Sequence, residues 1–154
     1  MTTPANAEAL VATAARTLLD PEGRHLAAHV LWWTLPSLEA GAQLKWPVVV
    51  IGNGPPLLLL HGFDSSFLEF RRLAPLLAVS HTLVIPDLYG FGFTPRPPDG
   101  SYGPPGVLEH LEALLTALPG QLHLPSPPDG SPPRVGVIGA SMGGAVAQIG
   151  RAHV

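Results

Sequence analysis

Arg134-Val135-Gly136-Val137-Ile138-Gly139-Ala140-Ser141-Met142-Gly143-Gly144-Ala145-Val146-Ala147 is the stretch on which the fold turns. A β-branched apolar run leads into Gly-x-Ser-x-Gly, and Ala145-Val146-Ala147 opens a helix after it. A serine on a strained turn between a buried strand and a helix is the arrangement known as a nucleophile elbow. The spacing has a steric reason. Side chains two positions before and after the serine would collide across so tight a turn, so Gly139 and Gly143 keep those positions small.

Working upstream, Leu44 to Ile51 and Leu57 to Leu60 read as two strands joined by the turn Gly52-Asn53-Gly54-Pro55-Pro56. Leu57–Leu60 is continuously apolar, as expected of a parallel strand covered on both faces. Ser66 and Glu69, three apart, fit a capping box and predict a helix from about Phe67 that sends Phe67, Phe70 and Leu73 into a core, with Pro75 shortening or bending it. Thr82–Asp87 reads as another buried strand, followed by a glycine-rich loop from Leu88 to Pro105. Val107, Leu111, Leu114, Leu115 and Leu118 then recur at helical spacing. Pro119–Pro133 holds six prolines and predicts an irregular exposed connection. Ala5–Leu19 reads as a helix stopped by Asp20-Pro21-Glu22-Gly23. Alternating strands and helices point to a doubly wound α/β sheet.

Attack on a carbonyl needs donors for a developing oxyanion, normally one amide just after the serine and one from a loop after a neighbouring strand. His61-Gly62-Phe63 follows the Leu57–Leu60 strand, and Gly62 lets the backbone bend so that the Phe63 amide turns inward, opposite the Met142 amide. His61-Gly62-Phe63, Asp87-Leu88-Tyr89-Gly90-Phe91-Gly92 and Gly139-Ala140-Ser141-Met142-Gly143-Gly144, in that order, resemble an α/β-hydrolase-fold enzyme over roughly Leu44 to Ala147. The resemblance implies a mostly parallel sheet with helices on both faces. It also implies Ser141 as nucleophile, Phe63 and Met142 as oxyanion donors, Asp87 as a structural residue, and no cofactor or metal. Thr94 stands where the family often has serine, and Ala140 where histidine is commoner before the nucleophile.

In the family the acid and histidine of the triad follow the serine far downstream. Only 13 residues follow Ser141. The chain is therefore expected to be the amino-terminal half of such a hydrolase, truncated after the elbow and inactive alone. The implied strand order, 1-2-4-3-5-6-7-8, would leave its last strand as a bare apolar edge that invites aggregation. The expected organisation is an amino-terminal extension over 1–43, a partial hydrolase domain over 44–148, and a non-native tail over 149–154. Ile149-Gly150-Arg151-Ala152-His153-Val154 is what ATC GGA AGA GCA CAC GTC, a sequencing-adapter read, encodes.

Composition narrows the alternatives. With 46% hydrophobic and 12% charged residues the chain must bury a core. A formal charge of -3 with no Lys/Arg run argues against nucleic acid and for a small-molecule substrate. Zero cysteines exclude disulfides, thiolate metal sites and a cysteine nucleophile. No apolar run approaches the roughly 18 residues needed to span a bilayer, and no secretory signal is legible, so a cytoplasmic protein is expected. Oligomeric state is not legible. His25, His29, His81, His110 and His123 lack metal-ligand spacing, and His61 reads as structural or pocket-lining. Val135–Gly144 also resembles a dinucleotide-binding fingerprint with Ser141 in place of the middle glycine, a reading that leaves His61-Gly62-Phe63 unexplained. A non-catalytic hydrolase-like binding protein is the third reading.

Overall fold

The computed structural model describes residues 4–35, 38 and 44–150. Helices α1 (Pro4–Thr17) and α2 (Pro21–Ala28) precede strands β1 (Val30–Thr34), β2 (Lys45–Gly52) and β3 (Pro56–Leu60). A 3-10 helix over Phe67–Arg72 and the short α3 (Ala74–Leu77) lead to β4 (Thr82–Pro86). Helix α4 (Pro104–Gln121), strand β5 (Gly136–Gly139) and helix α5 (Met142–Gly150) complete it.

The five strands form one mixed sheet in the order β1-β2-β4-β3-β5. β1 and β2 pair antiparallel, as do β2 and β4, whereas β4, β3 and β5 run parallel. β4 lies between the two strands joined by the Gly52–Pro56 turn, as in the strand order that the family resemblance implies. Gly52 and Gly54 have φ of +84° and +136°, and a Cβ on either would collide with backbone oxygens of Ala78–His81. The glycine turn therefore lets the chain leaving α3 pass close over it and feed β4 into the gap.

Period-two alternation divides β3 between two cores. Leu58 and Leu60 pack with Trp46, Val48 and Val84 beneath Val107, Leu111, Leu114 and Leu118 of α4 and Val146 of α5. Leu57 and Leu59 face the opposite way, with Val49, Leu83 and Ile85, against Phe67, Phe70, Ala74 and Leu26. Helices cover both faces, which is why Leu57–Leu60 carries no polar residue.

Local expectations fail where the chain's surroundings decide. Asp20-Pro21-Glu22-Gly23 starts a second helix as well as ending the first: Asp20 caps α2 by accepting from the Glu22 amide at 3.0 Å, and Pro21 needs no N–H donor there. Asp20 also pairs with Arg71 at 2.8 Å, with the arginine holding its carboxyl below the usual range. The segment after Ser66 is a 3-10 helix with no capping box. The Ser66 hydroxyl accepts from Leu68, the Glu69 carboxylate reaches elsewhere, and Leu73 is partly exposed where Phe67 and Phe70 are buried. α4 runs past Pro119 to Gln121 before the irregular connection begins. In the tail segment, Ile149 and Gly150 close α5, and 151–154 lie outside the described residues.

β5 is an outer strand of the sheet, and its Val137 and Ile138 remain 39% and 38% exposed. An unguarded edge strand with apolar side chains pairs readily with another chain. The purified chain is expected to elute as more than a monomer, and Ile138→Lys, which places a charge beside that edge, to shift it toward monomer in size-exclusion chromatography with light scattering.

Candidate functional site

The site is built where β3 and β5 end together. Their parallel register sets Leu60 opposite Gly139, and the Ala140 amide continues the pairing by donating to the Leu60 carbonyl at 2.9 Å. The chain then reverses. Ser141 sits at φ +51°, a left-handed conformation that costs a non-glycine residue about 1–2 kcal/mol. The Gly143 amide closes the turn on the Ala140 carbonyl at 2.8 Å, and Gly144 donates to the Ser141 carbonyl at 3.0 Å. A Cβ on Gly139 would collide with the Gly143 backbone, and one on Gly143 with the Leu60 carbonyl. Both glycines allow the helix to start directly on the strand end.

Ser141 is exposed, and a Cβ built on Gly62 would lie 3.4 Å from its own Cβ. The structure thus brings the His61-Gly62-Phe63 loop and the serine turn into contact. Among the described residues, neither the Phe63 nor the Met142 amide has a hydrogen-bond acceptor. Met142 opens α5, where amides lack intrahelical partners and the helix dipole is positive. The Phe63 ring is 74% exposed and meets Phe91 edge-on, their centroids 5.4 Å apart.

His61 orients this loop. Its Nε2 accepts the Leu88 amide at 2.9 Å, so the ring proton lies on Nδ1, which donates to the Gly62 carbonyl at 2.8 Å. A planar trans peptide points its N–H away from its C=O. Pinning the Gly62 oxygen on His61 therefore aims the Phe63 amide to the other side. Burial pushes the His61 pKa down, against smaller opposing effects of the Gly62 carbonyl and Glu69. With both nitrogens engaged, this imidazole has no lone pair for a substrate proton.

Asp87, fully buried, ties β4 to the loops around it. Its carboxylate accepts from the Phe67 amide at 2.6 Å and the Phe93 amide at 2.7 Å. Gly92, at φ +52°, is required because a Cβ there would collide with that carboxylate. Burial raises the Asp87 pKa to about 7, although the two amides pull the other way. Thr94 serves the same loop: its hydroxyl donates to the Phe91 carbonyl at 2.7 Å and accepts from the Gly90 amide at 3.1 Å.

No described histidine is hydrogen-bonded to the Ser141 side chain. His25 and His29 stack on each other, and His81 bonds Ser80 at 2.9 Å. His110 is buried against Trp46 with neither nitrogen partnered, and burial, reinforced by His61, lowers its pKa to about 3. His153 lies outside the described residues. No described group of three His, Asp or Glu side chains could hold a metal ion, and no described helix is long and apolar enough to cross a membrane. The partner that sequence reasoning missed is Glu69, whose carboxylate takes the Gly62 amide at 2.7 Å. Nothing in the local sequence signals a bond that only the folded loop creates.

A parallel strand end, a strained serine turn and an adjoining glycine loop make up the frame of the α/β-hydrolase fold. The family model for the alpha/beta hydrolase family matches residues 57–154, more than half of the chain, and the protein belongs to that family. It is 51% identical over 70 residues to a fluoroacetate dehalogenase of Burkholderia sp., a match covering 46% of this chain and 21% of the relative. It is 37% identical over 114 residues to lipase 1 of Psychrobacter immobilis, covering 73% of this chain and 32% of the lipase. The chain thus spans a third or less of these relatives. A meta-cleavage product hydrolase of Pseudomonas fluorescens IP01 superposes with a TM-score of 0.63 at 22% identity, over 82% of this chain and 41% of that one, a likeness of fold. Family membership removes the dinucleotide-binding alternative for Gly139–Gly144.

Asp87→Asn leaves one acceptor for two amides and should cost about 1–3 kcal/mol of stability in urea unfolding. Because the folded carboxyl holds its proton up to about pH 7 and the unfolded one releases it near 3.8, the contribution is full at acid pH and lost as pH rises through 7. The deficit of the variant should therefore be larger at pH 5 than at pH 8.

Proposed function

We propose that this chain is the nucleophile-bearing part of an enzyme that hydrolyses an ester or related acyl bond. Ser141 is the nucleophile, and the Phe63 and Met142 amides hold the oxyanion. The observation that carries this reading is the contact of the strained, exposed Ser141 turn with the Gly62-Phe63 loop, beside two amides that lack acceptors among the described residues.

The chemistry of the hydroxyl selects among the reactions that the relatives' names span. Displacement at a saturated carbon, as in removing fluoride from fluoroacetate, would leave a serine alkyl ether, which water does not readily cleave. Attack on a carbonyl forms a C–O bond, sends the serine proton to a base and the carbonyl electron pair onto oxygen. Collapse of that intermediate expels the protonated leaving group and leaves an acyl ester that water hydrolyses. A serine turns over on acyl substrates, so the lipase is the better guide to reaction type.

The reading requires an acid and a histidine base beyond the described residues, since both nitrogens of His61 are occupied and the buried His110 makes no bond to Ser141. The same lack of a described base favours, as a second reading, a hydrolase-like protein that binds without turnover. The purified 154-residue chain is expected to hydrolyse p-nitrophenyl esters no faster than its Ser141→Ala variant; turnover lost in that variant would show a base within the chain. In a longer form carrying an acid and a histidine, a fluorophosphonate should label Ser141. Failure to label it there would favour the binding reading.

A further inference from the structure

The loop after β3 offers two consecutive amides, Gly62 and Phe63, and a substrate oxygen could in principle draw on either. We infer that Glu69 is a positioning residue that withdraws the Gly62 amide and fixes the loop so that Phe63 alone is left to the substrate. This rests on the reading of Ser141 as nucleophile. The Glu69 carboxylate accepts the Gly62 N–H at 2.7 Å, within the range of charge-assisted hydrogen bonds. On the other side of the same residue, the Gly62 carbonyl is held by His61 Nδ1 at 2.8 Å. Gly62 is thus clamped at both its polar atoms, and the peptides on either side of its Cα have fixed orientations.

The clamp is placed where small movements matter. One point, the position a Cβ would occupy on Gly62, lies 3.4 Å from Ser141 Cβ and 3.6 Å from Glu69 Oε2. The carboxylate therefore lies against the same face of Gly62 that meets the serine turn. Rotation of the His61–Gly62 peptide would swing the Gly62 amide away from Glu69 and disturb the neighbouring peptide that carries the Phe63 amide. Glu69 comes from the 3-10 helix, whose start is anchored by the Phe67 amide on Asp87 and whose Phe67 and Phe70 are buried. The carboxylate is thus borne by a segment with its own fixed position, as a support for a reactive loop must be.

The test uses amide hydrogen exchange on the 154-residue chain, with the adjoining Phe63 amide as internal control. Gly62 should exchange roughly 10- to 100-fold more slowly than an unbonded amide, while Phe63 shows no such protection. Glu69→Gln, which keeps an acceptor oxygen, should retain most of the Gly62 protection with an upfield shift of its proton; Glu69→Leu should abolish it. Gly62 exchanging as fast as Phe63 in the unsubstituted chain would overturn the inference, and needs no variant to fold. So would unchanged Gly62 protection in Glu69→Leu. In an active longer form, Glu69→Leu should lower kcat with little change in KM, and Glu69→Gln should restore it. An equal loss in both variants would also count against the role. Failure of fluorophosphonate to label Ser141 removes the nucleophile but leaves the Gly62 exchange pattern intact, so the two failures are distinguishable.

Discussion

The approach of two backbones, with no side chain between them, governs this structure. β3 and β5 are hydrogen-bonded in parallel with Leu60 level with Gly139, so the loops that leave them meet at once. Gly143 allows that meeting by leaving room for the Leu60 carbonyl, while at Gly62 a Cβ would keep ordinary van der Waals distance from the Ser141 side chain. A single methyl at Gly143 would enter that carbonyl and push α5 off the strand end. The left-handed Ser141 backbone, unfavourable on its own, persists because the pairing below it and the helix above it leave the chain no other path.

The polar atoms under the site are arranged to hold backbone. The buried His61, Asp87 and Thr94, joined by the exposed Glu69, each spend their hydrogen-bonding capacity on main-chain amides or carbonyls of the two segments that follow β3 and β4. Buried polar groups with satisfied bonds rigidify what they touch, and their removal leaves a desolvated partner behind. His110 stands apart from this pattern, an imidazole packed as an aromatic ring on Trp46.

Much of the frame was legible because it obeys local or periodic rules. Uninterrupted apolar residues announced β3, helical spacing announced α4, and the glycine-flanked serine announced its own turn. What the sequence concealed depended on contacts distant along the chain. β1 carries no local pattern of its own, since it is set by pairing with β2, its partner among the described strands. Asp20 read as a stop because its role as a cap and as a partner of Arg71 needs the 3-10 helix beside it. Glu69 fitted a local capping motif, yet the folded chain offers it a better donor in Gly62. In the site itself, an inward turn of the Phe63 amide was expected from Gly62 alone, whereas the bond from His61 to the Gly62 carbonyl, set by the Leu88 amide on the other ring nitrogen, depends on the fold.

The place of β5 at the margin of the sheet bears on the order in which the molecule comes apart. Closing β5 onto β3 ties together strands separated by the whole of 61–135, so this pairing carries the largest entropic burden of chain closure in the parallel part of the sheet. Its own residues are half open to water, whereas β3 and β4 are sealed. Mild denaturation should therefore peel away the strand that carries Ser141 while both halves of the hydrophobic interior stay closed, so that the serine turn comes apart at a lower threshold than the rest of the fold.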